Sequence, residues 1–383
     1  MGVRPFRIGV ADEVLDDLRR RLDATRWPPT VEGLGWDDGT DVAFARDLCQ
    51  WWRDCYDWRA AEAALNAWPQ VLVDVDGSEV HCIHVRGQGP DPIPLVLTHG
   101  WPSTFYEMHK VLGPLSDPAA HGGDARDAFH VVVPSLPGYG WSPPPATRGT
   151  DARRIAELWV GLMEQLGYAR FGSHGGDWGS AVTTALGAIH PDRMIGLHFA
   201  MLSPPVDPAA LDAAQRAWWD ALLVYRDEEW GYVHLQRTKP QTASFGLTDS
   251  PAGLAAWITE KWWRWSDCAN EAGKRDLWRV YTRDEILTTV MIYWVTATIG
   301  PSMRLYRETF GPGSTIAQPT RIEVPTGVAV FNEINRPPRA LAEPWYDIRR
   351  WSAIDRGGHF PAMENPDALV RELRAFFRPL RRG

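Results

Sequence analysis

An alternation of short apolar runs with helical segments restricts the fold of this chain more than any other feature. Runs at 94–98, 129–133 and 195–199 have the length and the apolar content of buried strands. Because parallel strands need crossover helices between them, we predict an α/β fold, with a mainly parallel sheet and helices on both faces. Further strands are expected at 71–75, 80–85, 324–331 and 348–354, and helices at 152–166, 253–265 and 366–377.

The rest of the chain divides around this alternating region. Residues 1–68 carry apolar residues at helical spacing, and Asp76-Gly77 is a hairpin signal. From about 205 to 315 the strand pattern gives way to a Trp-rich, helix-like stretch, which predicts a lid; the uncharged run 286–303 is expected to be one buried helix. The predicted units are an N-terminal extension leading into the first strands (1–90), the first part of the core (91–205), a helical lid (206–315) and the second part of the core (316–383).

A glycine-flanked carboxylate marks the predicted active centre. Gly175-Gly176-Asp177-Trp178-Gly179 follows a strand-like segment, 169–173, and precedes a helix-like one, 180–189. In a nucleophile elbow of this kind, small residues relieve crowding in a sharp strand-to-helix turn. An ionised carboxylate attacks without an activating base, and at an sp3 carbon it displaces a leaving group and forms an ester. Asp177 is therefore the predicted nucleophile, although an aspartate that only caps a helix gives the same local pattern.

Two further glycine motifs supply its expected partners. The loop His99-Gly100-Trp101-Pro102 follows the strand at 94–98. In folds that have a nucleophile elbow, two backbone N–H groups form the oxyanion hole: one comes from such a loop and the other from the residue after the nucleophile. The backbone N–H groups of Trp101 and Trp178 are the predicted oxyanion hole, and His99, at a strand end, is expected to be structural.

The expected base lies near the C-terminus. Arg356-Gly357-Gly358-His359-Phe360 follows a late strand and precedes the final helix, which agrees with the chain order nucleophile, acid, histidine. The acid should follow a strand between the two. Glu333, directly after 324–331, is the preferred candidate for orienting His359, with Asp347 and Asp355 as alternatives.

Composition excludes some classes of function. The net charge is -8, which argues against nucleic-acid binding, because phosphate contacts need clustered Lys and Arg. The four cysteines, which form no metal-ligand spacing, are typical of free thiols in the cytoplasm. No signal pattern or membrane anchor is seen near the N-terminus, and neither a metal nor an organic cofactor is expected. A homodimer and a monomer are both left open.

Together, the aspartate elbow, H-G-W-P and G-G-H-F resemble the epoxide hydrolases of the α/β-hydrolase fold. The resemblance covers nearly the whole chain and is greatest to the microsomal-type branch, whose N-terminal helical segment is similar to residues 1–90. Those enzymes carry two lid tyrosines. The segments 231–240 and 302–306 resemble the regions that hold them, which implies Tyr232 and Tyr306 as donors to the epoxide oxygen.

This chain departs from that branch in two respects. The membrane anchor of the microsomal enzyme is not visible, and Phe331-Asn332-Glu333 is one residue shorter than the usual acid loop. The chain is also similar to soluble actinomycete enzymes of natural-product pathways, including enediyne assembly, which implies a bulky aryl epoxide as the substrate.

The resemblance implies conversion of an epoxide and water to a vicinal diol through an ester on Asp177, without a cofactor. One alternative is a haloalkane dehalogenase, which uses the same nucleophile but lacks the tyrosine pair and holds a halide instead. A more remote alternative is a non-catalytic binding protein with this fold, although such proteins usually lose a member of the catalytic set.

Overall fold

The computed structural model of the protein describes residues 2–312, 320–333 and 335–382. Its strands are β1 Val3–Phe6, β2 Gln70–Val75, β3 Ser78–Val85, β4 Ile93–Thr98, β5 Phe129–Pro134, β6 Phe171–Gly175, β7 Met194–Phe199, β8 Ile322–Val330 and β9 Tyr346–Ala353. Its α-helices are α1 Asp12–Asp23, α2 Val42–Asp54, α3 Trp58–Leu65, α4 Leu112–Ser116, α5 Ala152–Gln165, α6 Asp177–Ile189, α7 Ala213–Glu229, α8 Gly231–Thr238, α9 Pro240–Asp249, α10 Pro251–Trp265, α11 Arg283–Thr296, α12 Ile299–Phe310, α13 Arg339–Ala342, α14 Pro361–Glu364 and α15 Pro366–Phe377.

Within these ranges the strands form a nine-stranded sheet in the order β1-β2-β3-β5-β4-β6-β7-β8-β9. The pairs from β5 through β4 to β9 are parallel, whereas β1, β2 and β3 add an antiparallel edge. Leu95, Val96 and Leu97 in β4 are fully buried, as expected for a strand covered on both faces. The predicted mainly parallel α/β architecture is therefore confirmed. The strand order reverses beside β4, so the loops after β4 and β6 meet at a switch point, where α/β sheets bind ligands.

The N-terminal region corrects one expectation. Residues 1–68 were expected to be helical, but Val3–Phe6 pairs with β2 as an edge strand, and the segment between α1 and α2 is irregular. A strand of four residues is too short to show a period of two, so the sequence gives no signal that separates it from a loop.

A helical insertion lies between β7 and β8 and contains α7 to α12. Its predicted end at 315 falls outside the described residues. The stretch 286–303, expected as one helix, is two helices: α11 stops at Ala297, whose backbone is left-handed with φ 53°, and α12 begins at Ile299. Left-handed backbone ends a helix, and alanine gives no warning of it in the sequence.

Among the helices of the described ranges, none is long and apolar enough to cross a membrane alone. Helices α11 and α12 reach that length and composition only as a pair, and this pair is bent by 89°.

The N-terminal extension packs against the helical insertion. The rings of Trp36 and Trp263 stack with centroids 4.5 Å apart. The Tyr56 hydroxyl lies 3.0 Å from the Thr288 hydroxyl, and the indole N–H of Trp51 donates to a carboxylate on α11. The extension therefore holds α10 and α11 in place above the sheet.

Candidate active site

Asp177 lies at the tip of a tight turn between β6 and α6. Its φ of 46° is unusual for a residue with a Cβ atom, and such strain is retained where the surrounding structure enforces it. A Cβ on Gly175 would lie 2.2 Å from the backbone of Gly179, and a Cβ on Gly179 would lie 2.0 Å from the carbonyl oxygen of Thr98. The turn therefore needs glycine at both positions. The sequence predicts a strand that ends at 173 and a helix that begins at 180. In the structure the strand ends at Gly175 and the helix begins at Asp177, so the turn between them is shorter than predicted.

The loop after β4 contacts the carboxylate directly. The backbone N–H of Trp101 donates to Asp177 Oδ1 at 2.8 Å. A Cβ on Gly100 would meet the same carboxylate oxygen at 2.4 Å, so only glycine allows this approach. Trp178 is the second residue of α6 and lies in its first turn, where backbone N–H groups have no partner within the helix. The ring of His99 is buried and accepts from the backbone N–H of Leu136 through Nε2, away from the carboxylate.

His359 and Glu333 are brought together on the other side of Asp177. The Nδ1 atom of His359 lies 2.7 Å from Glu333 Oε2, and its Nε2 lies 3.6 Å from Asp177 Oδ2. The short acid loop reaches the imidazole because the N–H of Glu333 donates to the carbonyl of Phe331 at 2.8 Å, which closes a three-residue turn.

The two alternative acids lie elsewhere. Asp347 pairs with Arg349 at 2.8 Å on β9, and Asp355 is exposed. Glu333 is therefore the carboxylate that the fold places against the imidazole.

The charge of His359 depends on these two carboxylates. Burial by itself favours the neutral imidazole, but Asp177 and Glu333 outweigh burial and raise the pKa of His359 to about 10. The 3.6 Å separation from Asp177 is that of an ion pair rather than a direct hydrogen bond. With Asp177 ionised, the imidazole is therefore protonated at neutral pH.

Tyr232 from α8 and Tyr306 from α12 face each other above Asp177. Their ring centroids are 5.8 Å apart, and Trp101 stacks on Tyr232 at 5.1 Å. Burial is the main cause that raises the pKa of both phenols well above the ordinary value; the charge of Asp177 adds to it for Tyr232, and Tyr232 and then Asp177 add to it for Tyr306. Both phenols therefore stay protonated and can act as hydrogen-bond donors.

These side chains line a cavity of about 710 Å³ between the sheet and the helical insertion. Aspartate, imidazole and both phenols open into it, and the remaining wall combines aromatic and aliphatic side chains with polar and arginine side chains. Its apolar lining includes Leu222, Tyr225, Trp230, Val233, Trp265 and Phe310. An apolar chamber with a few convergent polar groups is the usual form of a small-molecule site.

Two buried glutamates and a lysine at this site carried no sequence signal. Glu364 accepts the backbone N–H groups of Gly358 and Phe360, both at 2.8 Å, and so fixes the His359 loop. Glu107, whose pKa burial raises to about 7, shares a second cavity of about 10 Å³ with Asp177 and His359. Lys261 lies 4.9 Å from the ring of Tyr232. Each stands in an ordinary helical context, so only contacts formed on folding identify it.

A nucleophile turn after a parallel strand, with an acid and a histidine after later strands, defines an α/β hydrolase. The family described as "alpha/beta hydrolase fold" matches residues 93–229, and "Epoxide hydrolase N terminus" matches residues 3–108.

Relatives that match nearly the whole chain are named as epoxide hydrolases. A putative epoxide hydrolase of Stigmatella aurantiaca is 42% identical over 99% of this chain and 86% of its own length. Epoxide hydrolase 1 of Sus scrofa is 33% identical over 98% of this chain and 88% of its own. The crystal structure of juvenile hormone epoxide hydrolase from Bombyx mori superposes with a TM-score of 0.89 at 28% identity, covering 100% of this chain and 95% of that one. This chain belongs to the epoxide hydrolase family and is a hydrolase.

Proposed function

We propose that the protein converts an epoxide to a vicinal diol through a covalent ester on Asp177. Asp177 Oδ2 attacks one epoxide carbon, and the carbon–oxygen bond of the ring breaks. Tyr232 and Tyr306 hold the departing oxygen, which takes a proton from a phenol; the protonated His359 returns a proton to that phenol and becomes neutral. Water then attacks the ester carbonyl, gives one proton to His359 and the other to the departing diol oxygen, and the carboxylate is regenerated. The observation that carries this proposal is the position of Asp177 between a backbone donor, an imidazole and two phenols.

The geometry supports the alkylation step. The N–H of Trp101 holds Oδ1, whereas Oδ2 accepts no hydrogen bond among the described residues and faces His359 Nε2 at 3.6 Å. The tyrosines stay protonated over the working pH range and can donate to the alkoxide that develops as the ring opens. A protonated imidazole beside Asp177 does not compete for the epoxide carbon.

The electrostatics support the hydrolysis step. Alkylation removes the charge of Asp177, which is one of the two influences that hold the pKa of His359 near 10. The pKa of the imidazole then falls, so His359 gives up its proton more readily once the ester has formed and can then accept a proton from water. The 10 Å³ cavity beside Asp177, His359 and Glu107 has room for about one water. The N–H groups of Trp101 and Trp178 are proposed to hold the oxyanion.

The tyrosine pair and the relatives favour an epoxide over a haloalkane. A phenol can protonate an alkoxide, whereas a departing halide needs only a hydrogen-bond donor. Release of halide from haloalkanes at rates above those of epoxide hydrolysis would reverse this choice. Trace diol formation with every epoxide tried would instead favour the non-catalytic binding protein.

A single turnover in ¹⁸O-labelled water tests the ester. The first diol should carry unlabelled oxygen from Asp177, and label should appear only in later turnovers. His359→Gln should let the ester accumulate, visible as a mass increase of the intact protein. Label in the first diol, or no adduct on His359→Gln with a turned-over substrate, contradicts the mechanism. Tyr168→Phe, which alters a tyrosine that is bonded to His84 and Arg86 and lies outside the cavity lining, is the matched control.

The substrate is proposed to be bulky and apolar or aromatic. The size and aromatic wall of the cavity support this class. A role in natural-product assembly, including enediynes, rests on the family resemblance alone, and a place in the cytoplasm rests on the four free cysteines. Turnover of a panel of aryl and alkyl epoxides, with chiral analysis of the diols, would define the class.

A further inference from the structure

The active-site cavity has a cationic side that the mechanism does not use. Four arginines belong to its lining, although the protein as a whole carries a net charge of -8. They come from α7, from the end of α10 and the loop after it, and from the acid loop: Arg226, Arg264, Arg275 and Arg336.

Two of these arginines are already occupied. The guanidinium of Arg264 pairs with Glu229 at 2.6 Å. Arg275 donates to the backbone carbonyls of Trp263 at 2.9 Å and Arg264 at 3.0 Å, and to that of Ser266. Both therefore serve to brace the helical insertion.

The carboxylates that face the cavity are also engaged. Asp177 is the nucleophile, and Glu333 faces the imidazole. Asp267 accepts from the side-chain amide of Asn332 and the backbone N–H of Gly357, both at 3.0 Å. None of the three is paired with an arginine of the cavity within the described ranges.

Arg226 has no ion pair inside the cavity among the described residues. Its guanidinium carbon lies 4.4 Å from the centroid of the Trp230 ring and 5.5 Å from that of the Trp219 ring, within the range of cation–π contacts with both. Its Nε–H is shielded from solvent and meets no acceptor in the described part of the chain. Burial without a facing carboxylate lowers the pKa of Arg226. A shielded donor on a cation costs free energy until an acceptor arrives. Arg336, exposed at the same cavity, also has no ion pair among the described residues.

We propose that Arg226 binds a carboxylate on the substrate, remote from the epoxide, so that the preferred substrates are aromatic epoxides bearing an acidic group. This inference rests on the epoxide hydrolase function proposed above. The aromatic wall takes the ring system, the aspartate takes the epoxide carbon, and the guanidinium takes the anion through charge-assisted hydrogen bonds. Arg336 adds a second positive charge that draws an anionic substrate towards the cavity.

The test compares 4-carboxystyrene oxide with its neutral methyl ester. The quantity measured is the ratio of kcat/KM for the acid to kcat/KM for the ester. Because a general loss of activity lowers both values by the same factor, the ratio reports only the preference for the acid over the ester. From wild type to Arg226→Met the ratio should fall roughly tenfold, the value of a charged hydrogen bond. Arg148→Met, at an exposed arginine outside the cavity lining, should leave the ratio unchanged. A second measurement needs no variant: added NaCl should lower kcat/KM of the wild type for the acid but not for the ester.

Each outcome decides one question. An unchanged ratio in Arg226→Met, or an acid reaction that is indifferent to NaCl, overturns the carboxylate site. In that case continued hydrolysis of the ester leaves the proposed function standing. If neither compound nor unsubstituted styrene oxide gives a diol, the proposed function itself fails and the carboxylate site falls with it.

Discussion

At the scale of single residues, the site depends on how one carboxylate is shared. Asp177 accepts a backbone N–H on one oxygen and faces a protonated imidazole with the other. The same negative charge that suits Asp177 for its proposed role as nucleophile also keeps His359 protonated. In the proposed mechanism, ester formation removes that charge, so electrostatics favours the proposed order of the two chemical steps.

The substitution Asp177→Asn imitates the neutral ester and should lower the pKa of His359. With one of the two carboxylates removed, the pKa should fall from about 10 by about 1–3 units, measured by NMR titration of the imidazole. Asp347→Asn, on a carboxylate paired with Arg349, is the control and should leave the value unchanged. A pKa that stays near 10 in Asp177→Asn would show that Glu333 alone sets it.

Gly100→Ala should damage activity more than stability. The added methyl group would lie 2.4 Å from Asp177 Oδ1, so the carboxylate must move away from its working position. We expect kcat/KM to fall about 100-fold, with a small change in the urea midpoint. In Gly246→Ala, on α9, the new methyl group meets nothing within 4 Å, so activity should be kept. Equal activity in the two variants would contradict the close approach.

At the scale of elements, the helical insertion is shaped by an abrupt turn. Helix α11 ends at Ala297, and α12 leaves at 89°, which brings Tyr306 down onto Trp178 with ring centroids 4.7 Å apart. A straight helix would carry Tyr306 away from Asp177. The break in the helix therefore positions one of the two proposed donors.

Ala297→Gly should stabilise the protein, because glycine adopts φ 53° without a clash of Cβ. The relief exceeds the extra entropy of glycine in the unfolded chain, so the free energy of unfolding should rise by about 0.5–1 kcal/mol. Ala63→Gly, at an exposed position inside α3, should lower it by about 1 kcal/mol. Urea denaturation of both variants measures the change in the free energy of unfolding and its sign. Destabilisation by Ala297→Gly would mean that the left-handed backbone of Ala297 is not a source of strain at the helix break.

At the scale of the whole molecule, three layers depend on one another. The N-terminal extension packs against the insertion, the insertion closes the cavity, and the sheet carries Asp177, the proposed nucleophile. Among the cysteines, Cys49, Cys82 and Cys268 are buried and Cys55 is exposed, and all four are free thiols. Burial raises the pKa of Cys49 to about 12, which further suppresses its reactivity.

Thiol labelling with an aromatic disulfide should therefore report global unfolding. One thiol of the native protein should react quickly and the other three only as urea unfolds the chain. Cys55→Ser should remove the fast reaction and leave the slow ones. Rapid labelling of two or more thiols without denaturant would show that a layer opens independently.

The glycine motifs made much of the site predictable. Only glycine fits the crowded turn around Asp177 and the approach of the loop after β4, so the sequence marks both places. The apolar runs predicted the central strands for a similar reason, because a strand buried on both faces must be apolar throughout.

Other features left no local trace. The reach of Glu333 to His359 depends on a three-residue turn, the break at Ala297 on a left-handed alanine, and the support from Glu364 on three backbone groups brought together from two loops. The unpartnered state of Arg226 is likewise a property of its surroundings. The sequence by itself determined the fold class and predicted Asp177 and His359 as the candidate nucleophile and base, because tight turns and buried strands restrict residue type locally. Only the tertiary structure decided which charges are neutralised, since that depends on neighbours distant along the chain.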